Sequence, residues 1–275
     1  MSIYRILHFS DVHAGLVDFH LGYLFDKRFF GRLNQFCRRQ RNLALENIDK
    51  VAALLKEKKI DFTVCTGDLT SIGSAEEFAH VTKLLQPILD YAGDNFLFVP
   101  GNHDAYVRQS AGALRDAFNT LNRNQLDFDA LPGSIVRGEV EFIALNPARP
   151  CRIWQSTGEM KQDAWARLDY ILSSPAAPGV KARLLVSHFP IVDHGNKPLC
   201  WRTKFIDAAA HLEDAVKHRV FSAMLTGHVH HPFIYPLGTA GCLAVGAGSL
   251  TIQNSCSLVS VDTETGLSTA EILHF

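Results

Sequence analysis

Short apolar runs alternate with stretches of helical periodicity through the first two thirds of the chain, after which apolar runs follow one another closely. Apolar runs of about four to eight residues, bounded by turn formers and rich in β-branched and aromatic side chains, mark strands. They are predicted at Ile3 to Phe9, Asp61 to Cys65, Asn95 to Val99, Val140 to Leu145, Arg183 to Val186, Ser222 to Leu225, Phe233 to Tyr235, Cys242 to Val245, Ser257 to Val261 and Thr269 to Leu273. Leu45, Ile48, Val51, Ala52 and Leu55 share one face of a helix, as do Phe78, Val81, Leu84, Leu85 and Ile88, and a third helix is predicted from Lys161 to Leu172. Ser74, followed by Glu76 and Glu77, reads as the capped start of the second helix. Strands alternating with helices and finishing in a β meander predict an α/β fold, with no linker dividing residues 1–275 into more than one domain.

Composition narrows the classes. A chain of 275 residues that is 47% hydrophobic can bury an extended core. Its 27 Lys and Arg against 28 Asp and Glu argue against a protein that grips long nucleic acid. Six scattered cysteines without a Cys-x-x-Cys pair fit a reducing, cytoplasmic setting. The first residues show no basic stretch leading into an apolar one, and no run approaches the roughly 18 apolar residues of a membrane span, so neither an export signal nor a span is expected.

Five motifs then stand out, each placed after an apolar run: Asp11-Val12-His13, Gly67-Asp68, Gly101-Asn102-His103-Asp104, Ser187-His188 and Gly227-His228-Val229-His230. Singly, each is ordinary turn chemistry. Jointly they place carboxylate, amide and imidazole groups at the carboxyl ends of strands, where side chains of layered α/β folds meet in a crevice. That donor set fits Mn, Fe, Zn, Co or Ni better than Ca or Mg, and it lacks the thiolates of a structural zinc cage.

In this order the motifs resemble those of the calcineurin-like metallophosphoesterase superfamily, and most closely its small bacterial members of the cyclic-nucleotide phosphodiesterase type; Val99 to Asp104, Ala247-Gly-Ser249 and Asn254-Ser255 extend the likeness over nearly the whole chain. The resemblance implies a four-layer αββα sandwich, two mixed sheets flanked by helices. It implies one metal on Asp11, His13, Asp68 and His230 and a second on Asp68, Asn102, His188 and His228, with Asp68 bridging, and Mn and Fe the favoured ions. It further implies hydrolysis of a phosphodiester or phosphoanhydride by hydroxide shared between the metals, with His103 protonating the leaving oxygen and Asp104 orienting that ring.

Substrate contacts are expected from the loop Phe189 to Lys204, where Trp201 offers a stacking face, Arg202 a cation and His194 a further polar group. Ser71 and Ile72 are weaker candidates, and the remaining histidines, His8 and His231 among them, are assigned to structure or solvent. Residues 16–41 interleave aromatic and basic side chains, the composition of a lid or cap, of a peripheral contact with the inner face of a membrane, or of a helix packed on the core. A small nucleotide-type substrate is the leading expectation. UDP-2,3-diacylglucosamine, cleaved in lipid A synthesis, is the alternative that segment 16–41 motivates, and a scaffold that keeps the fold without the chemistry is the non-enzymatic one.

Overall fold

A computed structural model describes residues 3–16, 28, 43–193 and 195–275. Its strands are β1 (Ile3–Phe9), β2 (Phe62–Cys65), β3 (Phe96–Phe98), β4 (Gly133–Arg137), β5 (Val140–Ala144), β6 (Ala182–Val186), β7 (Ala223–Thr226), β8 (Pro232–Leu237), β9 (Cys242–Ala247), β10 (Ser255–Asp262) and β11 (Leu267–His274). The helices among the described residues are α1 (Asn47–Glu57), α2 (Ala75–Leu84), α3 (Gln86–Ala92), α4 (Ala111–Leu121), α5 (Gln162–Ser173) and α6 (Ala208–Lys217). Every strand expected from the sequence is present, and β4, α4 and α6 are additions. The helix expected through Ile88 divides at Leu85, because Pro87 in the first turn of α3 has no N–H to continue the α2 ladder. Ser74 caps α2 as expected, its hydroxyl accepting from the Glu77 amide at 3.2 Å.

The strands form two mixed sheets, ordered β11-β10-β1-β2-β3 and β4-β5-β6-β7-β9-β8. Within the first, β1, β2 and β3 run parallel; within the second, β5, β6, β7 and β9 do. Antiparallel strands close the edges.

Period-two alternation explains the layering. Phe142, Leu184, Val186 and Leu225 face the first sheet and share its core, while Ile143, Leu185 and Met224 point the other way onto Trp165 and Leu168 of α5 and Leu212 of α6. Between the sheets Phe62 stacks on Phe142 with ring centroids 4.0 Å apart. Helices α1 to α4 supply Val51, Leu55, Val81, Ile88 and Phe118 to the first core. Sheets thus lie face to face with helices on the outer sides.

Of the predicted segment 16–41, only Leu16 and Arg28 belong to the described residues; the rest of it, and His194, lie outside them. No helix among the described residues is long and apolar enough to cross a membrane.

Candidate metal centre

The motif residues stand on the segments that leave β1, β2, β3, β6 and β7, all at the carboxyl ends of parallel strands. Sequence forces the chain to turn sharply there. Asp11, His13, Asp68, His228 and His230 have φ of 55°, 51°, 53°, 73° and 61°, in the left-handed region that non-glycine residues enter at a cost of about 1–3 kcal/mol each. Asp and His are among the side chains that tolerate it best. Backbone bonds pin these turns: the Asp11 amide donates to the Gly67 carbonyl at 3.0 Å, and that of His13 to the Asp68 carbonyl at 2.9 Å. The Ser249 hydroxyl donates to the Asp11 carbonyl at 2.7 Å, and the Ser249 amide to the His230 carbonyl at 2.9 Å.

Two glycines are dictated by close approach. A Cβ at Gly227 would lie 1.9 Å from Ser10 Oγ and 2.5 Å from Asp11 Oδ2, and one at Gly101 would lie 2.2 Å from Asp68 Oδ1.

Asp11, His13, Asp68 and His230 bring four ligand atoms within 4.8 Å of one another. His13 Nε2 and His230 Nε2 face each other at 3.1 Å, and Asp11 Oδ1 lies 3.6 Å from the first and 3.2 Å from the second. Asp11 Oδ1 is buried and accepts no well-formed hydrogen bond. A buried carboxylate oxygen aimed at two converging imidazole nitrogens is what a divalent cation would satisfy, so these residues fit a metal. Burial by itself would raise the Asp11 pKa, but the neighbouring His13 and His230 rings hold it well below the ordinary carboxylate range.

A second group adjoins the first. His188 Nε2 lies 3.4 Å from Asp68 Oδ2 and 3.2 Å from Asn102 Oδ1, and the His228 ring meets the His188 ring edge-on with centroids 5.1 Å apart. Backbone carbonyls fix the imidazoles. His188 Nδ1 is 2.6 Å from the Thr66 carbonyl, and His228 Nε2 is 3.0 Å from the Thr203 carbonyl. A carbonyl only accepts, so each of these nitrogens carries the proton, leaving Nε2 of His188 and Nδ1 of His228 as the donor atoms for a cation. Burial opposes charge on His188, yet the Asp68 carboxylate overrides it and lifts the pKa to about 9; burial and the neighbouring His188 charge push His228 down to about 3.

His103 sits beside both groups, its ring 4.9 Å from that of His13 and its amide donating to Asp68 Oδ1 at 2.7 Å. Asp104, expected to orient this ring, has backbone partners of its own. The Asp104 carboxylate accepts from the Gly101 amide, the Thr70 amide and the Thr70 hydroxyl, each at 3.0 Å, whereas His103 Nδ1 rests 2.7 Å from the Ser71 carbonyl. Asp104 thus ties its own turn to Thr70 on the segment after β2, and the Ser71 carbonyl lies against the His103 ring. Burial, reinforced by the Asp68 charge, pushes the Asp104 carboxyl up to about 7.

Ser71 and Ile72 follow Asp68 on the segment after β2. Their side chains are buried, Ile72 against Tyr106 and Val107, and their amides donate to the Glu77 carboxylate. Trp201 and Arg202 are exposed, the guanidinium 5.1 Å from the indole centroid, and precede Thr203, whose carbonyl meets His228. The carbonyls of Thr66, Ser71 and Thr203 could not be found from sequence, because every residue type has one.

A profile of known proteins described as calcineurin-like phosphoesterase matches residues 4–232. The chain belongs to the calcineurin-like phosphoesterase family. Members of that family are phosphoesterases that depend on two metals, and the cluster of Asp11, His13, Asp68 and His230 is a candidate for one such ion. Among curated proteins, a probable cyclic nucleotide phosphodiesterase of Vesicomyosocius okutanii is 27% identical over 111 residues, which span 38% of this phosphoesterase and 46% of that relative, less than half its length. Among solved structures, a dimetal phosphatase from Danio rerio aligns with TM-score 0.62 at 12% identity over 97% of this chain and 98% of its own. A purple acid phosphatase from yellow lupin seeds aligns with TM-score 0.59 at 12% identity over 99% of this chain and 54% of its own. At such identities the structural likeness speaks for the fold alone.

Proposed function

We propose that Asp11, His13, Asp68 and His230 bind one transition metal ion and Asp68, Asn102, His188 and His228 a second, and that the centre hydrolyses a phosphodiester or phosphoanhydride in a small nucleotide-type molecule such as a cyclic nucleotide. The observation that carries this reading is the position of Asp68 Oδ2, 4.0 Å from His13 Nε2 and 3.4 Å from His188 Nε2, one oxygen within reach of a ligand from each group. A shared anion is what lowers the mutual repulsion of two cations held about 3.5–4 Å apart. Oxygen and nitrogen donors without a thiolate favour Mn or Fe, with Zn and Co next. When bound, the pair supplies Lewis acidity toward phosphoryl oxygens and an acidified water as nucleophile.

The chain's own residues supply the rest. His103, with Nδ1 committed to the Ser71 carbonyl, presents Nε2 as the atom that gives a proton to the leaving oxygen. Trp201 and Arg202 form an exposed wall suited to a base and a phosphate. The curated relative supports the cyclic nucleotide assignment. The lipid-linked alternative rests on residues 16–41, most of which lie outside the described residues, and complete filling of the ligand positions speaks against a scaffold.

The deciding experiment is a screen of metal-stripped protein, reloaded with Mn, against cyclic nucleotides, bis(p-nitrophenyl) phosphate and UDP-linked lipids. Turnover of a cyclic nucleotide that chelation abolishes and Mn restores is expected. Cleavage of the UDP-linked lipid alone would replace the substrate assignment, and no turnover of any ester by protein carrying two metals would overturn the reading.

A further inference from the structure

Two loops beside the metal centre combine exposed apolar side chains with exposed cations. The Ser156 amide donates to the Arg202 carbonyl at 2.8 Å, the Gly158 amide to the Lys204 carbonyl at 3.1 Å and the Ile206 amide to the Gly158 carbonyl at 2.9 Å, so the segments around residues 150–158 and 195–206 run side by side. At their outer ends Ile153 is 53% exposed, and Trp154 and Trp201 are each 58% exposed. Two of the chain's three tryptophans are therefore spent on solvent. Neither packing nor the ligand geometry of the centre calls for Ile153 or Trp154, and burying such side chains elsewhere would have contributed to stability.

Residues 150–158 and 195–204 contain Arg152, Lys197, Arg202 and Lys204, all exposed, with Glu159, Asp193 and Asp207 just outside the two segments, in a protein whose formal net charge is −1. Exposed tryptophans with an aliphatic neighbour on segments that carry four exposed cations are the side-chain set that partitions into the headgroup layer of an anionic bilayer: indoles favour the interface, and Lys and Arg gain from the negative surface potential. Ile153 and Trp154 have no part in the proposed substrate wall, and a protein interface core is depleted of charge.

We propose that the face formed by Ile153, Trp154 and Trp201 with the exposed cations of their segments docks the protein on an anionic lipid surface. Through Thr203, whose carbonyl lies 3.0 Å from His228 Nε2, the docking face is linked to the metal centre. This goes beyond the proposed reaction and does not depend on it, since docking needs neither metal nor turnover.

The test is co-sedimentation with vesicles of phosphatidylcholine alone and of phosphatidylcholine mixed with phosphatidylglycerol, read together with tryptophan emission. Expected are binding to the mixed vesicles only, a blue shift on binding, and release at high salt. The Ile153→Ser, Trp154→Ser double variant should bind roughly tenfold more weakly or worse, and Arg152→Glu should weaken binding severalfold, with far-UV circular dichroism unchanged. Equal binding by wild type and both variants would assign attachment to another surface and overturn the proposal. So would absence of binding to either vesicle, including the case where sedimentation reveals a dimer that the double variant dissolves, which would give the face to a second copy of the chain.

Discussion

The two oxygens of Asp68 have separate work: Oδ1 accepts the His103 amide at 2.7 Å, and Oδ2 faces His13 and His188. Truncating it should undo both, so Asp68→Ala is expected to retain less than one tightly held metal per chain by elemental analysis and to lose activity by about three orders of magnitude or more. His103 differs, because its ring is held by a carbonyl outside the two ligand groups. His103→Ala should keep its metals and lose about 10²–10⁴ in kcat on esters with poor leaving groups, with a much smaller loss on p-nitrophenyl esters, whose leaving oxygen needs no proton; loss of metal instead would show that the division of roles is wrong. His8 offers a pH test on a ring outside the proposed ligand set. Its ring is buried between the Ser257 and Thr66 hydroxyls at 3.0 and 2.9 Å, and burial lowers its pKa from 6.5 to about 3. Between those values the unfolded chain binds a proton there that the folded chain refuses, so this contribution to stability is complete above pH 6.5 and declines as the pH falls toward 3. Urea midpoints measured from about pH 7 to pH 4 should fall less steeply for His8→Gln than for wild type.

Elements are held by contacts between the sheets as much as within them, and the Phe62–Phe142 stack is the clearest tie. Phe142→Ala should cost about 3–5 kcal/mol in urea unfolding while sparing metal content, because it empties the middle of the core far from the ligand turns. What the sequence disclosed depended on how strongly each element buries apolar area. The continuous apolar runs of β2, β3 and β6 were plain, whereas β4 buries only Ile135 along Gly133–Arg137, too thin an alternation to register. Helix α6 hides for a related reason: its buried positions are Ala208, Leu212 and Ala215, and alanines give a faint stripe. In α4, Leu114, Phe118 and Leu121 do have helical spacing, and that helix was readable though not anticipated. At the centre the reverse holds. The candidate ligands stood out by residue type and order, but the partners of a carboxylate such as Asp104 did not, since it takes backbone amides from Gly101 in its own turn and from Thr70 on another segment.

For the molecule as a whole, the turns that follow β1, β2 and β3 come from one sheet and those that follow β6 and β7 from the other, so cations placed among them would add to the apolar packing and the hydrogen bonds that already join the two layers. Removing metal by chelation should therefore lower the melting temperature, by about 5 °C or more on calorimetry at metal concentrations 100-fold above the dissociation constant, and Mn should restore it. The left-handed backbone at Asp11, His13, Asp68, His228 and His230 bears on inheritance as well. Asn or Gly can take over such a conformation without disturbing the turn, whereas Val or Ile would break the turn before the loss of a ligand mattered. A descendant that abandoned hydrolysis would thus drift first to amide or glycine at positions 11 and 68, and would keep a well-folded crevice long after its chemistry had gone.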